Sequence, residues 1–152
     1  MNDMAHQPEH NLEAVVDIED RQKWLRILED RFGIPCETFD PYEIIRQNSK
    51  SIHIVSRDHQ PPTTPRPDIV GMPLMRTKMK HPKITTAAAM AFGADATRNV
   101  VRVSRNQADA YLQRETFVAE PRETKSCTGR GYVLVAHLDV ILGVGFYAPE
   151  NG

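Results

Sequence analysis

The sequence predicts an α+β fold, in which a small N-terminal α/β unit precedes a strongly curved β-structure. Segments with apolar residues at helical spacing alternate with short β-like runs, which indicates a mixed architecture. Gly143 and Gly145 interrupt the last of these runs. Glycines inside a strand are typical of sharp curvature or of close approach by another segment. With 152 residues, the chain is long enough to bury a core without metal ions or disulfides.

The first firm element is a helix near residues 18–32. Its acidic residues come in the first turn and Arg31 comes in the last, as the helix dipole favours. Gly33 ends the helix and Pro35 prevents it from resuming. Residues 1–16 are mostly polar, and we expect a disordered tail there. The apolar face of the helix consists of Trp24, Leu25, Leu28 and Phe32.

A hairpin and a proline-rich linker follow the helix. Residues 42–46 and 51–56 are rich in β-branched residues and flank a polar turn, so they predict a β-hairpin. The stretch 58–68 holds four prolines, which indicates an irregular linker. We place the domain boundary there, with an α/β unit at 17–68 and a second domain at 69–152.

The second domain alternates strands and short helices. Residues 69–76 predict a strand, and the alanine-rich stretch 85–92 predicts a helix that Gly93 ends. Residues 99–104 predict a strand with Val101 and Val103 on one side. The remaining elements are a helix that begins with a Ser104-x-x-Gln107 capping box, and strands at 132–137 and 140–147 joined by a tight turn.

The charges are distributed unevenly along the chain, although the formal net charge is -1. Residues 1–40 carry ten acids and four bases, whereas residues 71–106 carry seven bases and one acid. Binding of a polyanion depends on the local field, so a basic segment inside a nearly neutral protein can still bind one. A solvated surface with accidental clustering explains the same charges, and charge alone does not decide between the two.

The sequence lacks the parts that known catalytic motifs need. No glycine-rich nucleotide loop is present, and the six histidines are not spaced as paired zinc ligands. Cys36 and Cys127 have no neighbouring histidine in sequence, and we expect two unpaired thiols in a reducing cytoplasm, with one long-range disulfide as the alternative. We therefore expect a protein that is not an enzyme, with no cofactor and no metal. A site assembled from distant residues stays an alternative.

The basic segment is the best functional signal. Arg76, Lys78 and Lys80 alternate, so in an extended chain they project to one face. Cations on strands near short loops suit contacts with RNA phosphates. Thr97-Arg98-Asn99 offers a hydroxyl, a guanidinium and an amide in one turn, and RNA readout uses such groups. No phenylalanine, tyrosine or tryptophan lies between Arg76 and Lys83, so stacking on a row of bases is not predicted.

Four groups of residues, taken in order along the chain, resemble a known family. The groups are Arg31-Phe32-Gly33-Ile34-Pro35, Thr85-Thr86-Ala87-Ala88, Ala96-Thr97-Arg98-Asn99, and Gly129-Arg130-Gly131-Tyr132-Val133-Leu134-Val135 with Leu142-Gly143-Val144-Gly145. Together they resemble the RNA-binding region that follows the catalytic domain of Sun/Fmu-type rRNA cytosine-5 methyltransferases, and the stand-alone ribosome biogenesis proteins of that group. The resemblance covers about four fifths of the chain.

The resemblance implies a PUA-like β-pseudobarrel near 69–152 and a role in rRNA maturation or ribosome biogenesis. It implies no methyltransferase activity here, because Pro35-Cys36 lacks the strand and the acidic residue that precede the family's catalytic Pro-Cys motif. The chain is also too short for the methyltransferase domain.

We therefore expect a cytoplasmic, non-membrane protein whose partner is RNA, with rRNA as the first choice. The alternative is an interaction module that recruits a separately encoded methyltransferase or a ribosomal precursor, and the acidic N-terminal helix supports it. The residues predicted to bind RNA are Arg76, Lys78, Lys80, Lys83, Thr97, Arg98, Asn99, Arg102, Arg105 and Arg130.

Overall fold

The computed structural model describes residues 15–57 and 71–149, except for the side chain of Gln47. Three α-helices, seven strands and two short 3-10 helices occur in that part of the chain. The helices are α1 (Ile18–Phe32), α2 (Thr86–Phe92) and α3 (Arg105–Leu112), and the 3-10 helices are Cys36–Phe39 and Gly93–Asp95. The strands are β1 (Tyr42–Asn48), β2 (Ser51–Ser56), β3 (Met72–Arg76), β4 (Lys83–Ile84), β5 (Val100–Arg102), β6 (Gly131–His137) and β7 (Val140–Tyr147).

The helix predicted near 18–32 is confirmed, with both of its ends as expected. The Asp17 side chain accepts a hydrogen bond from the Asp20 amide and so caps the N-terminus. Gly33 lies in the left-handed conformation at the C-terminus, with φ of 74°. The four apolar residues named above are buried, so the amphipathic pattern directs this helix onto the core.

The first sheet contains β1 to β4 in chain order, and each neighbouring pair is antiparallel. The predicted hairpin of β1 and β2 is confirmed. Val16 donates its amide hydrogen to the Ile44 carbonyl, so residues 15 and 16, which we expected in the tail, lie against β1. The rest of the predicted tail lies outside the described residues.

The predicted linker at 58–68 also lies outside the described residues. The strands on its two sides, β2 and β3, are hydrogen-bonded neighbours in the first sheet. One cluster of buried residues includes Phe32 and Ile44 from before the linker, and Leu74 and Leu134 from after it. A boundary between two separate units at 58–68 is therefore not confirmed.

The second sheet contains β5, β6 and β7 in that order. Strands β5 and β6 are parallel, whereas β6 and β7 form the predicted hairpin. Val101, Val103, Val133 and Val135 face a second buried cluster beneath α3, and the opposite face of the sheet packs on the main core. Two sheets with helices confirm the α+β class, but they form no closed barrel in the described residues, and a PUA-like pseudobarrel is not confirmed.

Gly143 fulfils the expectation of close approach. The Tyr111 hydroxyl of α3 lies where a side chain at residue 143 would start, and it donates a hydrogen bond of 2.9 Å to the Val144 carbonyl. The sequence therefore identified the tight position correctly but not the element that approaches it. None of the helices in residues 15–57 and 71–149 is both long and apolar enough to cross a membrane.

Candidate nucleic-acid interface

The Thr97–Asn99 turn, predicted to face RNA, covers the C-terminal end of α1. The Phe32 carbonyl accepts hydrogen bonds from the amides of Thr97 and Arg98. The Arg98 guanidinium donates to the carbonyls of Glu29 (2.6 Å) and Asp30 (3.2 Å). The last four carbonyls of a helix have no partner within it. The Gly33 amide already pairs with the Glu29 carbonyl, and the turn provides the partners of the Asp30 and Phe32 carbonyls. The Arg98 guanidinium thus forms hydrogen bonds within the protein, at the end of α1.

Asn99 is completely buried, and its side chain is fully engaged. Its amide nitrogen donates to the Arg31 carbonyl (2.6 Å) and to the Thr128 hydroxyl (2.9 Å), and its oxygen accepts from the Thr128 amide (3.0 Å). Its backbone is left-handed, with φ of 58°, a conformation that asparagine tolerates better than most residues. The prediction that Asn99 contacts RNA does not fit this burial, and its role is to join α1 to the 126–131 loop.

Arg31 fixes the same loop from the other side. Its guanidinium donates to the carbonyls of Gly129 and Tyr132, each at 3.0 Å. Burial lowers the pKa of Arg31 from its ordinary value. These bonds hold the start of β6, so they set the position of Arg130 and Tyr132 at the surface.

The basic β3–β4 hairpin carries four of the predicted residues. Arg76 ends β3 opposite Lys83 of β4. Lys78 and Lys80 are exposed, but they lie in bends between the strands, so the extended chain that would project them to one face with Arg76 does not form there. The chain has to reverse within six residues to pair β3 with β4, and this turn overrides the alternation. The basic residues nevertheless stay together at one hairpin end.

An aromatic cluster adjoins this hairpin. Tyr132 of β6 and Phe146 of β7 are register partners, with ring centroids 5.1 Å apart. The His81 ring lies 5.9 Å from that of Phe146, and the Lys83 ammonium lies 5.3 Å from the centre of the Tyr132 ring. Arg130 is exposed beside them and lines a cleft of about 100 Å³ together with His81 and Tyr132. We call His81, Lys83, Arg130, Tyr132 and Phe146 the aromatic–basic surface.

The aromatic–basic surface is free of acidic residues in the segments that build it. Residues 71–94 and 127–138 contain no aspartate or glutamate, and Asp139 lies at the far turn of the β6–β7 hairpin. Lys50 adds a further cation, because its carbonyl accepts from the Thr77 amide and brings the β1–β2 turn next to the β3–β4 loop. The local field is therefore positive, as a polyanion requires.

A second basic region is an open groove of about 580 Å³ beside the edge strand β5. Thr97 and Arg102 line it, together with Arg122 and Lys125, which sequence reasoning did not select. We call it the β5 groove. Acids lie close to these cations, because Glu120 pairs with Arg122 at 3.2 Å and Glu123 lines the groove. It also lacks an aromatic residue among its lining residues, so it is the weaker candidate.

Arg105 is separate from both regions. It is exposed in the first turn of α3, which follows the confirmed capping box of Ser104 and Gln107. The ten predicted residues thus fall into a hairpin group (Arg76, Lys78, Lys80, Lys83) with Arg130 nearby, a groove pair (Thr97, Arg102), two residues engaged with α1 (Arg98, Asn99), and Arg105.

Sequence reasoning missed the aromatic members of the surface. Tyr132 and Phe146 lie 49 and 63 residues beyond Lys83 in the sequence, so inspection of the basic stretch from Arg76 to Lys83 does not find them. The sequence carried no signal for this pair: a regular hairpin with its turn at 138–139 places residue 132 opposite residue 145, and only the register shift between Val135 and Ala136 brings Phe146 opposite Tyr132.

The two cysteines are free thiols. Burial and the nearby Glu29 carboxylate, which accepts a hydrogen bond from the thiol at 3.2 Å, raise the pKa of Cys36 to about 11. Burial also raises the pKa of Cys127. Because the thiolate is the nucleophilic form, both environments oppose nucleophilic chemistry at neutral pH. No cluster of three metal-ligating side chains occurs in residues 15–57 and 71–149.

Comparisons with known proteins identify no relative. No family model matches the chain, and neither a curated protein nor a solved structure shows significant similarity to it. The function is therefore inferred from the residues of the aromatic–basic surface and the β3–β4 hairpin and from their arrangement.

Proposed function

We propose that this protein binds RNA through the aromatic–basic surface and the adjoining β3–β4 loop, and that it acts without methyltransferase activity of its own. A role in rRNA maturation or ribosome biogenesis, and a PUA-like relationship, are part of this proposal and rest on the sequence resemblance alone. The observation that carries RNA binding is the position of Tyr132 and Phe146 next to an acid-free basic hairpin.

The β3–β4 hairpin provides positive charge for the binding of RNA phosphates. Lys78 and Lys80 are exposed in the loop, and Arg76 and Lys83 lie opposite each other where β3 ends and β4 begins. At physiological salt, interactions between exposed charges are largely screened beyond one Debye length of about 8 Å, so these cations act on phosphates that come closer than that. Contacts of this kind supply affinity that decreases with salt, because bound phosphates release counterions.

The test compares two charge-matched double variants in titrations with a fluorescent 12-nucleotide single-stranded RNA at several salt concentrations. Lys78→Ala with Lys80→Ala removes two cations from the loop. Lys23→Ala with Arg26→Ala removes two exposed cations from α1. We expect the loop variant to flatten the plot of log affinity against log salt by about 1.4, at ~0.7 per lost phosphate contact. The α1 variant should retain the wild-type slope.

Two results would contradict the proposal. The first is a wild-type protein that shows no salt-dependent binding to any RNA tested. The second is an equal loss of affinity in the two double variants, which would mean that net charge alone drives association. Thermal unfolding of each variant ensures that an altered slope does not reflect an unfolded protein.

A further inference from the structure

The aromatic–basic surface carries information about the kind of RNA that fits it. Phe146 is 48% exposed, although it is a large apolar side chain, whereas Ile141 and Val144 of the same strand pack against the core. Its ring makes edge-type contacts with two neighbouring rings, those of Tyr132 (5.1 Å between centroids) and His81 (5.9 Å), and these contacts restrain its position. A fixed and half-exposed ring offers a platform for another flat group.

The surroundings of this ring match a nucleotide. Exposed Arg130 lies in the 126–131 loop that Arg31 and Asn99 hold, two residues before Tyr132 in the sequence. Lys83 lies over the Tyr132 ring, so its ammonium stays beside the aromatic pair. An aromatic face takes a base, and a neighbouring cation takes the phosphate of the same or the next nucleotide.

We propose that Phe146, supported by Tyr132, stacks with an unpaired base, so that this surface selects single-stranded over double-stranded RNA. This inference rests on the proposed RNA-binding function and deepens it. In a duplex, the bases are already stacked and their faces are hidden, whereas in a loop or an end they can be turned out onto an aromatic ring. A purely electrostatic surface has no reason to prefer the single strand.

Three variants separate stacking from charge and from packing. Phe146→Leu keeps an apolar side chain and removes the ring, and Phe146→Trp keeps a ring. Phe117→Leu makes the same chemical change at a partly buried ring that packs on the opposite face of the second sheet. Each variant is titrated with a 12-nucleotide single strand and with the matching 12-base-pair duplex.

We expect Phe146→Leu to weaken single-strand binding about tenfold, the loss of one base–aromatic stack, with little change for the duplex. Phe146→Trp should restore the affinity, and its fluorescence should be quenched by the single strand. The native Trp24 is 8% exposed, so it adds little response of its own. Phe117→Leu should bind like the wild type.

The failures are distinguishable. Salt-dependent binding of wild type that is equal for both RNA forms and unaffected by Phe146→Leu would overturn the stacking inference and leave the proposed function standing. A wild-type protein that binds neither form would overturn both. Loss of binding in Phe117→Leu as well as in Phe146→Leu, with both proteins folded, would also contradict a specific platform at Phe146.

Discussion

At the scale of single residues, Asn99 shows how a polar side chain can be mistaken for a ligand-binding group. Its sequence neighbourhood of hydroxyl, guanidinium and amide fits RNA readout equally well. In the folded chain, the side-chain amide of Asn99 donates hydrogen bonds to the Arg31 carbonyl and the Thr128 hydroxyl, and the residue is buried. A short polar motif can therefore either contact a ligand or form hydrogen bonds inside the protein, and the burial of its side chains decides between the two.

Replacement of Asn99 should cost more stability than replacement of any exposed polar residue. Asn99→Ala leaves the Arg31 carbonyl and the Thr128 amide without their partners and places alanine in a left-handed conformation. We expect a decrease of about 3 kcal/mol in the free energy of unfolding, measured by urea denaturation.

Two comparisons test the reason for this loss. Asn99→Gly removes the same hydrogen bonds but relieves the backbone cost, so it should lose about 1 kcal/mol less than Asn99→Ala. Asn106→Ala, at an exposed position in α3, should change stability by less than about 0.5 kcal/mol. Equal losses at positions 99 and 106 would refute the anchoring role of Asn99.

At the scale of elements, the contact between α3 and β7 depends on a glycine. The Tyr111 hydroxyl fills the space beside Gly143, so a side chain there would collide with it. A Cβ atom added at Gly145, two residues on, would lie 3.1 Å from the nearest methyl group of Val135, and that methyl group can shift slightly. The two glycines of this strand therefore differ in what they permit.

Gly143→Ala should destabilise the protein by about 2 kcal/mol, because α3 must move or Tyr111 must leave its position. Gly145→Ala is the control, and it should cost clearly less. Adding Tyr111→Phe to Gly143→Ala removes the clashing hydroxyl, so the double variant should lose less than the sum of the single losses. Additive losses in thermal or urea unfolding would mean that the collision is not the cause.

At the scale of the whole molecule, stability should decrease in mild acid because of His53. This residue is buried in the first sheet, its Nδ1 has no hydrogen-bond partner among the residues that the structure describes, and burial lowers its pKa from the ordinary value of 6.5. As the pH falls through that value, the unfolded chain takes up a proton before the folded chain does. The free energy of unfolding therefore decreases below about pH 6.5 and is unaffected by His53 well above it.

The measurement is urea denaturation at pH 7.5 and at pH 5.5. The decrease between these pH values should be smaller in His53→Leu than in the wild type, because leucine does not titrate. His81→Leu retains His53 and serves as the control, in which the contribution of His53 to the decrease should persist. A decrease that is the same in His53→Leu and in the wild type would assign the acid sensitivity to other groups.

The sequence by itself determined most of the local structure. Apolar spacing defined α1, capping residues defined the starts of α2 and α3, and the alternation around 138–139 defined the last hairpin. These signals are short-range, because hydrogen bonding to a cap or a turn residue depends on neighbours a few positions away. The basic character of the β3–β4 region was likewise visible in the chain.

Only the tertiary structure decided which of these residues share a surface. It removed Asn99 from the candidate interface, bent the chain at Lys78 and Lys80, and placed Phe146 and Tyr132 beside the basic hairpin. The physical reason is that contacts between residues far apart in sequence depend on how sheets and helices pack. The periodicity of neighbouring residues does not predict that packing. The contact between the Tyr132 ring and the distant Lys83 ammonium is therefore visible only in the folded chain.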